Sequence, residues 1–402
     1  MWTQFLLSGF GLALVLGAVA HKTNFCTMGA VSDWVNMGDT GRMRAWLLAI
    51  FTAMLGVMVL EATMAVDMTM TANNAESFPP VRTGNFVWLR HLLGGLIFGV
   101  GMTLASGCGN KTLVRIGGGN LKSGVVFLAI AFSAYIMVYT NFDYVVFLQW
   151  MEPLGIDLTR HGGGSQELGS IIAGMFGASS GFGMHLLLGG IIVTLVLPRI
   201  FTREFLATPD NVIAGIVIGL LVVSGWYVSA GPLGQALLEE AAFMDQRPQA
   251  LGAQSFTFVA PASHFLHYLG SGFETRLLTF ALMVGLGVAV GSFAYAMVQR
   301  SFRFEWFADW RDFAAHLAGG LLMGVGGVLG LGCTFGQAIT GTSTLAVGSF
   351  VTFGGIVYGA ALTMKIQYYA MLYEDAPFKE VALTALVEMR TLPRKYRRLE
   401  AL

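Results

Sequence analysis

Three cysteines are the residues of this chain best suited to chemistry, and they do not form a disulfide framework. Cys26, Cys108 and Cys333 are odd in number and lie within or beside apolar segments, which leaves their thiols free for use. Cys108 and Cys333 each follow a glycine, Gly107 and Gly332, at a point where one apolar run breaks off and a short one begins. A helix starting at such a break turns its first backbone N–H groups and its positive dipole end toward the cysteine, and anions gather at such points. A thiol placed there adds a weak, polarisable S–H donor. Lysine would hold a dianion tightly, whereas permeation requires binding weak enough to release at each step. Soft contacts in series therefore suit a soft sulfur anion. Cys26, in Asn24-Phe25-Cys26-Thr27-Met28-Gly29-Ala30 at the end of the first apolar span, is placed to receive what Cys108 releases.

A single cysteine in an apolar segment is more often inert packing, but two of these three close an internal repeat. His91 to Cys108 reads HLLGGLIFGVGMTLASGC and His316 to Cys333 reads HLAGGLLMGVGGVLGLGC, identical at 11 of 18 positions with a constant offset of 225. The likeness continues one residue out of step, with Gly117, Leu121 and Gly124 answering to Gly341, Leu345 and Gly348. A weaker echo relates Gly9-Phe10-Gly11-Leu12-Ala13 to Gly285-Leu286-Gly287-Val288-Ala289. The duplication is expected to divide the chain into a first half, residues 1–200, a second half, residues 201–370, and a tail, residues 371–402. Gly95-x-x-x-Gly99 and Gly320-x-x-x-Gly324 are expected to let helices pack closely.

The elements that position these residues belong to a bilayer. With 55% hydrophobic and 11% charged residues among 402, too little charge remains to cover a soluble surface. About nine runs reach the roughly 20 apolar residues that a spanning helix needs: approximately Trp2–Ala20, Arg44–Val66, Val87–Ala105, Ser123–Tyr139, Met184–Phe201, Val212–Ser229, Leu277–Val298, Phe313–Leu329 and Thr344–Ile366. Four apolar stretches are too short to span, at Cys108–Gly119, Ser170–Gly183, Phe258–Leu269 and Cys333–Gly341, and are expected to be re-entrant helices lining a cavity. The first run resembles a signal segment and contains Ala18-Val19-Ala20, but lacks a basic start and is read as a retained helix.

With the N-terminus outside, inner loops and tail carry 18 of the 23 Lys and Arg residues, as the positive-inside rule expects. The two repeat copies then cross in opposite directions. Inverted repeats with broken helices point to a transporter whose site lies at the repeat interface near the bilayer midplane. In the tail, Asp375 is expected to cap an amphipathic helix lying on the inner leaflet, its basic end Arg394-Lys395-Tyr396-Arg397-Arg398 near anionic lipid. The net charge of zero and the absence of any folded basic patch imply no nucleic-acid partner. No phosphate-cradling loop marks an ATPase module. A membrane oxidoreductase would need haem or metal ligands; His264 and His267 are the one pair suitably spaced, and the histidines are expected instead at interfaces and caps.

The chain resembles the YeeE/YedE family of bacterial sulfur-transport membrane proteins along nearly its whole length. The residues that carry the resemblance are Asn24-Phe25-Cys26 with Gly29-Ala30, Ser106-Gly107-Cys108, Ser255-Phe256-Thr257-Phe258-Val259-Ala260-Pro261 and the long run from Leu322 to Gln337, continuing through Thr340-Gly341-Thr342-Ser343-Thr344-Leu345. It implies an all-α polytopic permease of the bacterial inner membrane, N-terminus periplasmic and C-terminus cytoplasmic, that imports thiosulfate or a related anion without a cofactor and is not an enzyme. Cys333 would be the outer contact, Cys108 the central one and Cys26 the inner one. Gly107, Gly332, Thr334, Gln337 and Lys111 would be pathway neighbours. A TusA-like sulfurtransferase would be the cytoplasmic acceptor. The alternatives are a selenium-compound or sulfane-sulfur transporter, or a non-transporting membrane scaffold that recruits a sulfur carrier. The family more usually has an arginine on either side of the first cysteine; here the flanks are His21-Lys22-Thr23-Asn24 and Val31-Ser32-Asp33.

Overall fold

The computed structural model describes residues 1–68, 80–161, 164–177 and 181–400. Among these residues the regular structure is helical, mostly α with short 3-10 and π segments, apart from one two-residue antiparallel pairing, β1 (Asn85–Phe86) with β2 (Ile156–Asp157), and two isolated bridges. The helices run α1 (Trp2–Lys22), α2 (Thr27–Ser32), α3 (Gly41–Ala62), α4 (Trp88–Leu104), α5 (Gly109–Gly117), α6 (Leu121–Tyr139), α7 (Gln149–Met151), α8 (Leu168–Met175) and α9 (Phe182–Ile200). They continue as α10 (Arg203–Leu206), α11 (Pro209–Ala230), α12 (Pro232–Ala242), α13 (Ala260–Gly270), α14 (Phe280–Val298), α15 (Trp310–Leu329), α16 (Val347–Leu372) and α17 (Phe378–Glu388).

Nine stretches of the described residues are long and apolar enough to cross a bilayer, built on α1, α3, α4, α6, α9, α11, α14, α15 and α16. They coincide with the nine runs expected from hydropathy. Most begin a few residues earlier, because polar first turns such as Trp310-Arg311-Asp312 belong to the helix while adding nothing to the apolar run. Of the four short stretches, three form α5, α13 and a helical segment after Cys333. The fourth contributes α8, and its residues 178–180 lie outside the described ones.

Polar contacts sort the helix ends into two faces. On one face Lys22 pairs with Asp210 at 3.5 Å, Arg44 donates to the carbonyl of Arg199 at 2.6 Å, and Lys122 pairs with Asp312 at 2.7 Å. On the other, Trp88 donates to the carbonyl of Leu154 at 3.1 Å and Arg90 to that of Leu329 at 2.9 Å. The bond from Arg90 to Leu329 sets α4 and α15 antiparallel, and their glycines allow backbone contact. A Cβ on Gly94 would lie 2.3 Å from the nitrogen of Gly330, and one on Gly101 2.6 Å from the carbonyl oxygen of Gly319. The second glycine face of α4 meets α16, where Gly95 and Gly99 press on the carbonyls of Thr352 and Ile356; Gly320 and Gly324 of α15 press in the same way on α6. The close packing expected of both Gly-x-x-x-Gly pairs is therefore present.

One local expectation fails. Pro377, not Asp375, precedes the first turn of α17, because its fixed φ of −58° leads into the helix without a side-chain cap. Of the apolar positions of α17, Val381 and Ala385 are buried by the chain itself, with α16 as the neighbouring helix, while Phe378 is exposed.

Candidate functional site

The three cysteines share one local design. Each follows a helix that ends in a left-handed residue two positions before the cysteine: Asn24 (φ 51°), Ser106 (φ 55°) and Leu331 (φ 58°). The next amide reaches back five residues, from Phe25 to Ala20 at 3.2 Å, from Gly107 to Met102 at 3.0 Å and from Gly332 to Gly327 at 2.7 Å. This is the Schellman ending, which satisfies otherwise orphaned carbonyls. Each cysteine then starts a new helical segment, its carbonyl accepting from the amide four residues on: Ala30 to Cys26 at 3.0 Å, Thr112 to Cys108 at 2.9 Å and Gln337 to Cys333 at 2.8 Å. Gly332 takes a φ of +157° that favours glycine, and a Cβ there would lie 3.2 Å from the side chain of Gln337.

A residue in this cap position normally offers an oxygen to the third amide of the helix it starts. Here it is sulfur. The amide of Gly336 donates to Cys333 Sγ at 3.4 Å, and the amides of Gly29 and Lys111 face the thiols of Cys26 and Cys108. Cys333 Sγ also accepts from the amide of Phe258 at 3.3 Å and lies 3.9 Å from Thr257 Oγ1. Backbone donors thus converge on a polarisable atom, an arrangement that suits a passing anion.

The three cysteines are linked through side-chain and backbone neighbours. Cys26 and Cys108 meet side chain to side chain, and the Thr334 side chain, beside Cys333 in the chain, lies against Cys108. Phe258 joins the two repeat cysteines, its amide on Cys333 and its Cβ 3.3 Å from where a Cβ on Gly109 would stand. Cys108 and Cys333 are fully buried and Cys26 is 5% exposed. The hydroxyl of Thr334 faces only the weakly accepting thiol of Cys108, and Oε1 of Gln337 has no hydrogen-bond partner, while its Nε2 donates to the carbonyl of Gly330 at 2.9 Å.

Cys26 opens into a cavity of about 720 Å³. Its wall carries Arg42, Lys111, Arg115, Lys122 and Arg303 against Asp33, Glu305 and Asp312, an excess of cations. Lys111 Nζ donates to Asn24 Oδ1 at 3.0 Å, so the expected neighbour Lys111 lies at the mouth beside Cys26. Arg42 of α3 also reaches the wall of this cavity. Arg42 grips Asp33, with Nη2 2.7 Å from Oδ1, and lies where a Cβ on Gly29 would project.

The eight residues expected at the site lie in or directly beside the three cysteine turns. Sequence reasoning gave no role to Thr257 and Phe258, although both stand in a run that carried the family resemblance. It also gave none to Asn110, fully buried with neither side-chain polar atom hydrogen-bonded. His264 and His267 do not converge: the first meets Thr279 Oγ1 at 2.8 Å and the second stacks on Tyr139 at 4.1 Å. His185 is neither interfacial nor a cap; it is 1% exposed and lies between Glu61 and Glu167.

Two curated relatives are similar over most of their length. The thiosulfate transporter TsuA of Escherichia coli (strain K12) is 24% identical over 348 residues, covering 85% of this chain and 88% of the relative. The protein of the same name from Spirochaeta thermophila is 24% identical over 358 residues, covering 87% and 94%. The sequence model for Sulphur transport matches residues 22–362, every cysteine included, and this chain belongs to that family.

Proposed function

We propose that this chain is a permease that imports thiosulfate, or a closely related sulfur anion, across the bacterial inner membrane by a relay from Cys333 through Cys108 to Cys26. The observation that carries this reading is the threefold recurrence of a buried cysteine at a helix start, with Cys26 against Cys108 and Cys108 against Thr334, the neighbour of Cys333. Each step would exchange one set of amide and S–H donors for the next, so the dianion is never left without partners and never held tightly.

Residues 1–200 and 201–370 then act as two inverted halves, with residues 371–402 as a cytoplasmic tail. The antiparallel course of α4 and α15 supports this, as do the matching turns at Ser106 and Leu331. The short segments after Cys108 and Cys333 would be re-entrant helices facing each other across the interface. The cavity beyond Cys26 would be the cytoplasmic mouth, its cations drawing the anion off Cys26 and presenting it to a TusA-like sulfurtransferase. The deciding experiment is uptake of labelled thiosulfate by proteoliposomes, with sulfate, sulfite and selenium anions as competitors. Thiosulfate is expected to enter and sulfate to compete poorly; absence of uptake, with an acceptor protein still bound, would leave a scaffold in place of a permease.

A further inference from the structure

At the face remote from the cavity, the structure buries a group of charges that the relay does not use. Glu61, in the last turn of α3, stands about 29 Å along that helix from Arg42 at the cavity wall. One of its oxygens pairs with Arg82 Nη1 at 3.0 Å and the other lies 3.2 Å from His185 Nε2. The opposite ring nitrogen, Nδ1, lies 2.5 Å from Glu167 Oε1, and Glu167 Oε2 accepts from the hydroxyl of Ser170 at 3.1 Å. The side chain of His185 is 1% exposed and those of Glu61, Arg82 and Glu167 are 12% exposed.

Among the described residues, two carboxylates and one guanidinium leave this group with one negative charge in excess, and uncompensated buried charge is strongly unfavourable. A single proton on the His185 side of the group restores neutrality, and an imidazole between two carboxylates is the group best placed to hold it. Among the described residues, the charged groups that face His185 are Glu61 from α3 and Glu167 from the start of α8, with Arg82 behind Glu61. The cluster is also tied to the relay. Arg82 Nη2 reaches the carbonyl of Thr344 at 3.5 Å, and the amide of Leu168, next to Glu167, donates to the carbonyl of Leu345 at 3.0 Å. Thr344 and Leu345 end the helical segment that begins at Cys333.

We infer that Glu61, His185 and Glu167 form a proton-binding site that couples anion import to proton entry. The inference rests on the permease reading above and names its coupling ion. A dianion entering an inside-negative cell is opposed by about fiftyfold per charge for each 100 mV, so accumulation needs a companion cation. Proton binding would neutralise the cluster and hold the Cys333 segment in one position; proton loss would leave net negative charge beside its last carbonyl and loosen it.

The test uses the purified full chain in liposomes clamped at zero potential, with a pH dye inside and labelled thiosulfate outside. Thiosulfate entry is expected to acidify the lumen, and an acid-outside gradient to raise accumulation at least tenfold. His185→Gln and Glu167→Gln are expected to lose proton flux and accumulation while downhill thiosulfate exchange continues. Thiosulfate entry without proton movement overturns the coupling and leaves the permease reading intact. Proton flux unchanged in both variants overturns the assignment to this cluster. No thiosulfate flux in the wild type removes the permease reading and the coupling with it. If both glutamine variants fail to assemble in the membrane, Ser170→Ala decides, since it removes only the hydroxyl on Glu167. A shifted pH midpoint for uptake supports the site, and an unmoved one overturns it.

Discussion

Ser106 and Leu331, 225 positions apart, both turn left-handed two residues before a buried cysteine, with φ of 55° and 58°. Neither is glycine, and an L-residue held there carries strain on the order of 1–2 kcal/mol. The same turn precedes Cys26 at Asn24, a residue type that tolerates it better. The geometry that aims each thiol at its helix start is thus paid for locally, and its maintenance at positions with unlike side chains argues that the aim matters.

Leu331 offers the direct check. Leu331→Gly removes the strain and is expected to leave thermal stability within about 1 kcal/mol of wild type, with transport retained. Leu331→Val cannot settle in the left-handed region and is expected to cost about 1–2 kcal/mol and most of the uptake, because Cys333 loses its register on the amide of Gly336. Melting curves and proteoliposome uptake on the same preparations measure both. Equal activity in the two variants would show that the turn does not aim the thiol.

Thr334 separates folding from transport. Its hydroxyl is buried against the thiol of Cys108, a weak acceptor that returns little of the cost of burying it. Thr334→Val replaces the hydroxyl by a methyl of similar shape, so stability is expected to hold or rise. If the hydroxyl is kept for the passing anion, uptake should fall at least tenfold in the same protein. Unchanged uptake would assign Thr334 to packing.

Much of this arrangement was legible in the sequence because its signals are long-period. Nine apolar runs and an 11-of-18 repeat survive errors of several residues at each boundary. The placement of Cys108 and Cys333 at helix starts followed from the glycines before them, since a break in an apolar run forces a new set of orphan amides. What sequence could not reveal depends on partners far apart in the chain. Phe258 reaches Cys333 through a backbone amide, which carries no residue-type signature. His185 resembled any interfacial histidine until α3 and the start of α8 brought Glu61 and Glu167 to either side of it. Arg42 reaches Asp33 and the space over Gly29 from a different helix, a pairing that local sequence around Cys26 does not show.

Cys333→Ala and Cys108→Ala are each expected to abolish most uptake, by at least tenfold, while folded protein remains in the membrane. Alanine removes the sulfur on which the amides of Gly336 and Phe258 converge and leaves the surrounding glycine packing untouched. Serine restores a hydrogen-bonding group, but as a smaller and harder atom, so rescue is expected to be poor. Uptake assays with size-exclusion profiles of each variant distinguish loss of function from loss of fold. Wild-type uptake in both alanine variants would end the relay.

The relay also fixes the protonation state in which it works. A thiolate at Cys108 or Cys333 would face an incoming dianion at a few ångströms in a site from which water is largely excluded, and the repulsion would be on the order of several kcal/mol. A neutral thiol instead donates S–H to the anion. Transport is therefore expected to hold through neutral pH and to fall as alkaline conditions deprotonate the thiols. Alkylation, which needs the thiolate, should be slow at neutral pH and slower still when thiosulfate occupies the path. A small neutral alkylating reagent first shown to reach Cys108 at alkaline pH provides the measurement, because access and ionisation are then separated. Rapid labelling at neutral pH together with full uptake at alkaline pH would mean that the cysteines work as anions, and substrate would then have to be passed by a chemistry other than hydrogen bonding.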